Sequence, residues 1–202
     1  MSTIALNRNK KIEPIIAAGI LVWGTGTFLL GYYNFFQNSP SFLFGFCIVF
    51  LQTALIFSYL LHNTFNKYCN SIPLSTIAIL HVWRIFAGWI FIANASSLPR
   101  TFVTNAAYGD IIAGCLAVSV FIFRRTKIAY VIFNIVGLAD FIVAVVTGLL
   151  IFTANPETTN LLSQLPLIII PLFGVPISGF THVVSLTRLF KMRDKNWLDN
   201  VD

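Results

Sequence analysis

Charge is what this chain has least of: 10% of its 202 residues are Asp, Glu, Lys or Arg, against about 25% in a soluble domain. That scarcity, with 57% hydrophobic residues, excludes an ordinary soluble fold and leaves little room for a soluble domain. Cysteine is scarce too. Cys47, Cys69 and Cys115 are isolated and no CxxC occurs, which speaks against a thiol–disulfide oxidoreductase. There is no Walker loop, no Rossmann glycine pattern and no HExxH. No multi-histidine cluster suits a di-iron centre, so no metal site is expected. No serine nucleophile with a nearby base is evident, and no lysine lies within an apolar stretch, which excludes a retinal-type Schiff base. The formal charge of +6 sits in short loops and tails, where it sets membrane topology; nucleic acid is not an expected partner.

What the chain does have is apolar stretches of membrane length, repeated from end to end. Six spans are expected, at about Ile15–Tyr33, Ser41–Leu61, Leu74–Ala95, Tyr108–Phe123, Ile128–Phe152 and Leu165–Leu189. The first is longer than a signal-peptide core and lacks a clean A-x-A site, so it reads as a retained span. Loop charges agree with an even count. Arg8, Lys10 and Lys11 precede span one, and Lys67 follows span two. Arg124, Arg125 and Lys127 follow span four, and Arg188, Lys191, Arg193 and Lys195 close the chain; the opposite side holds only Arg100. The bias predicts an all-α membrane protein, a bundle of six transmembrane helices in a single domain over 1–202, with both termini cytoplasmic.

Three charged residues, Arg84, Asp110 and Asp140, lie inside these stretches. The hydrocarbon core penalises an ionised side chain by roughly 2.5–3.5 kcal/mol on insertion scales, so such residues pair, line wet cavities or handle protons and ligands. One cation and two carboxylates leave a carboxylate over. At about 1.5 Å rise per residue, Arg84 falls near mid-bilayer, with His81 and Gly88 on its face. Asp140 reaches nearly the same level on a stripe with Asn134, Gly137, Ala144 and Thr147. Gln52 is also near mid-depth. Two polar layers are expected: Gln52, Arg84 and Asp140 at the midplane, and His81, Asn134 and His182 toward the cytoplasm, with Asp110 on the outer side in the first turn of its helix. Which carboxylate pairs with Arg84 is open. Pro171 and Pro176 are expected to kink span six and free backbone carbonyls. Gly19, Gly24, Gly26 and Gly31 permit close contact along span one. Arg188 is expected to snorkel, Trp23, Trp83 and Trp89 to pack, and Trp197 to anchor the tail. Asn94-Ala95-Ser96 matches a glycosylation sequon.

The runs HVWRIFAGWIFI, LPRTF, YGDIIAG and FNIVGLADFIVA, with PLFGVPI and HVVSLTRL, resemble a group of small bacterial polytopic membrane proteins with no known activity. The resemblance spans roughly Ile77 to Leu189. It rests on Arg84 with Gly88, Leu98-Pro99, Gly109-Asp110-Ile111, Asn134 with Gly137-Leu138 and Asp140, and the Pro171/Pro176 segment. It implies a multi-pass protein of the bacterial inner membrane and nothing about chemistry.

These observations point to a small transporter-like or ligand-binding membrane protein with an intramembrane protonatable site. Its candidate residues are Arg84, Asp140 and Asp110, then His81 and His182, with Asn134 and Gln52 alongside. Arg84 would hold an anionic group or one carboxylate, and the spare carboxylate is the candidate proton carrier. The expected partners are the lipid bilayer, a small molecule or ion, and a second copy, since many transporters are built from repeats. No cofactor is expected on this reading. The alternatives are a b-type haem redox protein with His81 and His182 as axial ligands, a structural or assembly protein without a small ligand, and an intramembrane enzyme acting on lipid.

Overall fold

The computed structural model describes residues 12–123 and 126–192. Arg8, Lys10, Lys11, Arg124, Arg125, Arg193, Lys195 and Trp197 lie outside the described residues. Within them the chain is helical, with no strand. The helices are α1 (Ile12–Tyr32), α2 (Ser41–Leu61), α3 (Asn63–Ser71), α4 (Leu74–Ile79), α5 (Trp83–Ala93), α6 (Arg100–Phe102), α7 (Tyr108–Ile122), α8 (Lys127–Ala154), α9 (Pro156–Leu162) and α10 (Val175–Lys191). Two π-helical turns join them, Val103–Ala107 between α6 and α7 and Ile170–Gly174 before α10.

Six helical stretches are long and apolar enough to cross a membrane: Ile12–Tyr32, Ser41–Leu61, Leu74–Ala93, Arg100–Ile122, Lys127–Ala154 and Ile170–Lys191. Their number matches the hydropathy reading. Two bounds differ in a way that matters. The fourth stretch begins at Arg100, not Tyr108, because the segment that reads as a loop is wound into α6 and a π turn that run straight into α7. The sixth begins at Ile170, not Leu165.

Proline sets several starts. Pro40, Pro73 and Pro99 cap α2, α4 and α6 with φ of −55°, −54° and −56° and extended ψ. Each has the pyrrolidine φ and no N–H to satisfy. Asn155 caps α9, its side chain accepting from the backbone N–H of Glu157 and Thr158, with Pro156 at the first helical position. Asn34, two residues past the end of α1, is at φ 50°, a left-handed conformation that asparagine tolerates.

The interior divides into two apolar clusters. One gathers Phe36, Phe44, Phe91, Phe102, Phe152 and Leu162. The other gathers Tyr59, Leu74, Ile77, Tyr130, Phe133 and Leu189. Along α5 and α7 the buried charges lie where the chain passes from one cluster to the other: Arg84 falls between Ala78 and Ala87, and Asp110 between Ala107 and Ala117. α5 and α7 come close enough that a Cβ on Gly114 would meet Ile85, and one on Gly88 would meet the Ala107 carbonyl. Small residues at such crossings are what let apolar helices touch.

α1 is peripheral; its buried residues are Thr27 and Gly31. Of the glycines expected to line its contacts, Gly31 packs on Ile168 and Leu165 and Gly24 on Phe173, while Gly19 and Gly26 face open space. Trp23 ties α1 to the bundle, its indole N–H donating to the Leu172 carbonyl at 3.0 Å. Pro176 explains why that carbonyl is free, since it has no N–H to return to the residue four positions earlier. Trp89 packs little and is 67% exposed, among a band of exposed Phe, Ile, Leu and Val that suits a lipid surround.

Arg188 does not snorkel. It is buried, and its guanidinium donates to the Ile72 carbonyl between α3 and α4, because the hairpin folds back over the end of α10. Cys69 is buried beside it, and burial pushes the thiol up to about 12 against the opposing pull of Arg188. The thiolate is the nucleophile, so at pH 8 only about one thiol in ten thousand is ionised. Cys69 is therefore expected to stay unmodified by a water-soluble maleimide at pH 8 in the folded protein and to react once the chain is unfolded in SDS. Peptide mass mapping checks this, and folded-state labelling at the rate of an exposed thiol would contradict it.

Candidate functional site

The site starts at a break in the third stretch. Between α4 and α5 the chain tightens: the His81 N–H donates to Ala78, Arg84 to His81 and Ile85 to Val82, all three residues back. With three residues per turn, positions i and i+3 eclipse, so His81 and Arg84 both point inward and are 1% and 3% exposed.

Arg84 meets both carboxylates. Its Nε donates to Asp110 Oδ1 at 2.7 Å, and its Nη2 pairs with Asp140 Oδ2. Asp110 does stand in the first turn of α7, as expected, but level with Arg84 rather than in a separate layer beyond it. The helical stretch begins ten residues earlier at Arg100, which carries Asp110 about 15 Å along the helix axis, to the level of Arg84. Asp140 arrives from α8, and Gly109 makes its approach possible: a Cβ there would clash with Asp140 Oδ1.

The two expected polar layers are one network. Arg84 Nη1 donates to the Gly137 carbonyl at 3.5 Å and lies 3.4 Å from His182 Nε2. His182 Nδ1 lies 3.0 Å from Asn134 Oδ1, and Asn134 Nδ2 donates to the Tyr130 carbonyl at 2.8 Å. Donors and acceptors match along the whole chain only if His182 is neutral with its proton on Nδ1, leaving Nε2 to accept from Arg84. Gly137 leaves room for this ring, since a Cβ there would strike it. His81 Nε2 meets Thr181 Oγ1 at 3.0 Å. That hydroxyl donates into its own helix, so His81 carries its proton on Nε2, and its Nδ1 has no hydrogen-bond partner among the described residues.

The His81 and His182 rings are 4.0 Å apart, centroid to centroid. Axial ligation needs the two imidazoles on opposite faces of a porphyrin. Here they touch each other, and Phe133 packs 5.1 Å from both. The similar depth that suggests haem ligation brings them into direct contact instead, and this arrangement does not fit haem b. Among the described residues no His, Cys, Asp and Glu group has metal-site geometry.

Gln52 stands apart from Arg84. With its amide oriented to match its neighbours, Nε2 donates to the Pro176 carbonyl at 2.7 Å and Oε1 accepts from the Phe180 N–H at 3.1 Å. It braces α10 after the proline bend rather than joining a midplane layer. Asn94, the expected sequon residue, donates to the Ile90 carbonyl.

A narrow cleft, part of it open, reaches this network; Arg84 and Asp110 form part of its wall. Sequence reasoning does not single out Thr181, the Gly137 and Tyr130 carbonyls, or Trp83 as parts of the site. The glycine directly before Asp110 was the one available signal for the close helix approach. In net charge the site holds one guanidinium and two carboxylates, with both histidines neutral.

Residues 41–190 match a family model described as a domain of unknown function. The match covers every network residue and leaves out the peripheral α1. No curated protein and no solved structure matches the chain.

Proposed function

The chain belongs to the DUF8737 family, and on that premise we propose that it is a transporter-like, ligand-binding protein of a bacterial inner membrane, built around an intramembrane proton-binding site. The observation that carries this reading is the buried arginine held by two carboxylates from two other helices. With both carboxylates ionised the site has a surplus negative charge in a low-dielectric surround. A proton on one of them, or a bound cation, removes that surplus. Arg84 keeps its three nitrogens engaged, so it serves as the fixed counter-charge of the pair rather than as a receptor for an anion. His182 and Asn134 hold its third nitrogen in place, and His81, with an open Nδ1, extends the polar path toward the end of the bundle that holds α3. The loop charges support a cytoplasmic position for that end.

The test is thermal unfolding of the detergent-purified chain between pH 5 and 9, for wild type and Asp140→Asn. Net proton uptake by the folded site makes stability rise as pH falls, by up to about 1.4 kcal/mol per unit for one proton. The wild type is expected to show that slope and Asp140→Asn to lose it. A wild type whose pH dependence is unchanged by the substitution removes the proton-binding reading.

A further inference from the structure

The cleft beside Arg84 has two chemically different ends. Its wall follows α5 from Trp83 and Arg84 to Phe91, and α8 from Phe141 to Phe152. At one end stand Arg84 and Asp110. At the other, Phe91, Phe102 and Phe152 converge; the Phe91 and Phe102 rings are 5.2 Å apart, and a Cβ on Gly148 would touch both Phe152 and Phe102. Seven residues of α5, about 10 Å, separate the ends. Asp110 uses Oδ1 for Arg84, Oδ2 takes no hydrogen bond among the described residues, and 11% of its side-chain surface remains accessible. Ser178 also lines the cleft, 4% exposed, and its hydroxyl has no partner among the described residues.

Resting on the proton-site reading above, we infer that the cleft binds a slender organic cation, a protonated amine with an aromatic or apolar tail, its ammonium group on Asp110 and Ser178 and its tail among the phenylalanines. Charge decides the class. An anion would meet a surplus carboxylate and an arginine with every nitrogen already engaged. A neutral quinone-like ligand would find the Ser178 hydroxyl but would leave the surplus charge in place. A cation neutralises it, and an ammonium N–H satisfies the open Asp110 oxygen. The aromatic faces favour a cation entering between them.

The groups that face Asp110 are Arg84 from α5 and Asp140 from α8, with His182 of α10 and His81 behind Arg84. Both histidines are neutral in this network, so the charge balance is set by the two carboxylates and the arginine. A proton and the ammonium group then compete for the same surplus charge. Affinity for an amine falls as pH falls, up to tenfold per unit where one proton is displaced. Alkylamines stay protonated over this range, so the pH effect belongs to the protein.

The probes are 4-phenylbutylamine, 4-phenylbutanol and 4-phenylbutyrate, one skeleton with three charges. They are titrated calorimetrically into the detergent-purified full chain at pH 6 and pH 8, with the heat of partition into empty micelles subtracted. The amine is expected to bind saturably, at least tenfold tighter than the alcohol or the acid, and more weakly at pH 6. Asp110→Asn should lower amine affinity at least tenfold and erase the charge preference. Gly148→Leu, which extends a side chain into the cleft, should weaken the amine with Asp110 intact, so the assignment stays testable if Asp110→Asn does not fold. Equal binding of the three probes, preference for the acid, or no saturable amine binding overturns it. If the amine fails while the Asp140-dependent pH slope of stability persists, the cation assignment falls and the proton site stands. If both are absent, both fall.

Discussion

Arg84→Gln is expected to destabilise the folded bundle by about 3–5 kcal/mol, the usual consequence of removing one partner from a buried ionic cluster. The cost is dominated by what remains. Asp110 and Asp140 both approach the guanidinium from neighbouring helices, so the substitution leaves two carboxylates facing each other with no cation between them. It also removes the donors that meet the Gly137 carbonyl and His182 Nε2. The loss should be partly reversed in Arg84→Gln/Asp110→Asn/Asp140→Asn, where three amides can hydrogen-bond to one another without net charge. Reversible unfolding in mixed detergent micelles measures both. A single variant as stable as wild type, or a triple variant no better than the single, would show that the charges are not the reason the arginine is needed. The rescue separates electrostatics from packing, because the triple variant restores neutrality without restoring the guanidinium's shape.

Much of the bundle is local in origin and therefore legible in the chain. Membrane-length apolar runs state their own number, and helical periodicity puts His81 and Arg84 on one face. The rise per residue puts Asp140 level with Arg84. The misjudged positions depend on contacts between distant segments. Asp110 reads as an outer residue because Pro99, Arg100 and the polar pair Thr104-Asn105 look like a loop, yet they wind into helix and a π turn that lengthen the fourth stretch. Arg188 reads as a snorkelling residue because its depth is computed from its own helix alone, and depth says nothing of the Ile72 carbonyl folded over it. Equal depth likewise cannot tell two histidines across a cofactor from two histidines in contact. Gln52 sits at the expected level but faces the backbone of α10 loosened by Pro176, a partner with no side-chain signature.

The π turn and the glycines answer the same problem: how an arginine and two carboxylates from three helices can meet. Lengthening the fourth stretch sets Asp110 at the level of Arg84. Gly109, immediately before it, removes the side chain that would keep α8 away. Pair and clearance are thus encoded in adjacent residues of one helix, which makes their coupling measurable.

Gly109→Ala is accordingly expected to cost about 3 kcal/mol, the top of the range for overpacking a close interface, although it adds a single methyl group. The three atoms nearest to the new Cβ all belong to Asp140, and its Oδ1 lies far inside contact distance of that carbon. Asp140 must then swing away from Arg84, so a steric change becomes a broken ion pair. A cycle with Asp140→Ala tests this. Once the Asp140 side chain is gone, the added methyl meets no obstruction among those atoms, and alanine outranks glycine within a helix by about 1 kcal/mol. In that background Gly109→Ala should be neutral or slightly stabilising, giving a coupling energy near 3 kcal/mol, at the upper end for residues in contact. Loss of the Asp140-dependent pH slope in Gly109→Ala would accompany it. An equal penalty in both backgrounds would mean that glycine is required for the backbone of α7 itself. The clearance for Asp140 would then not be its role.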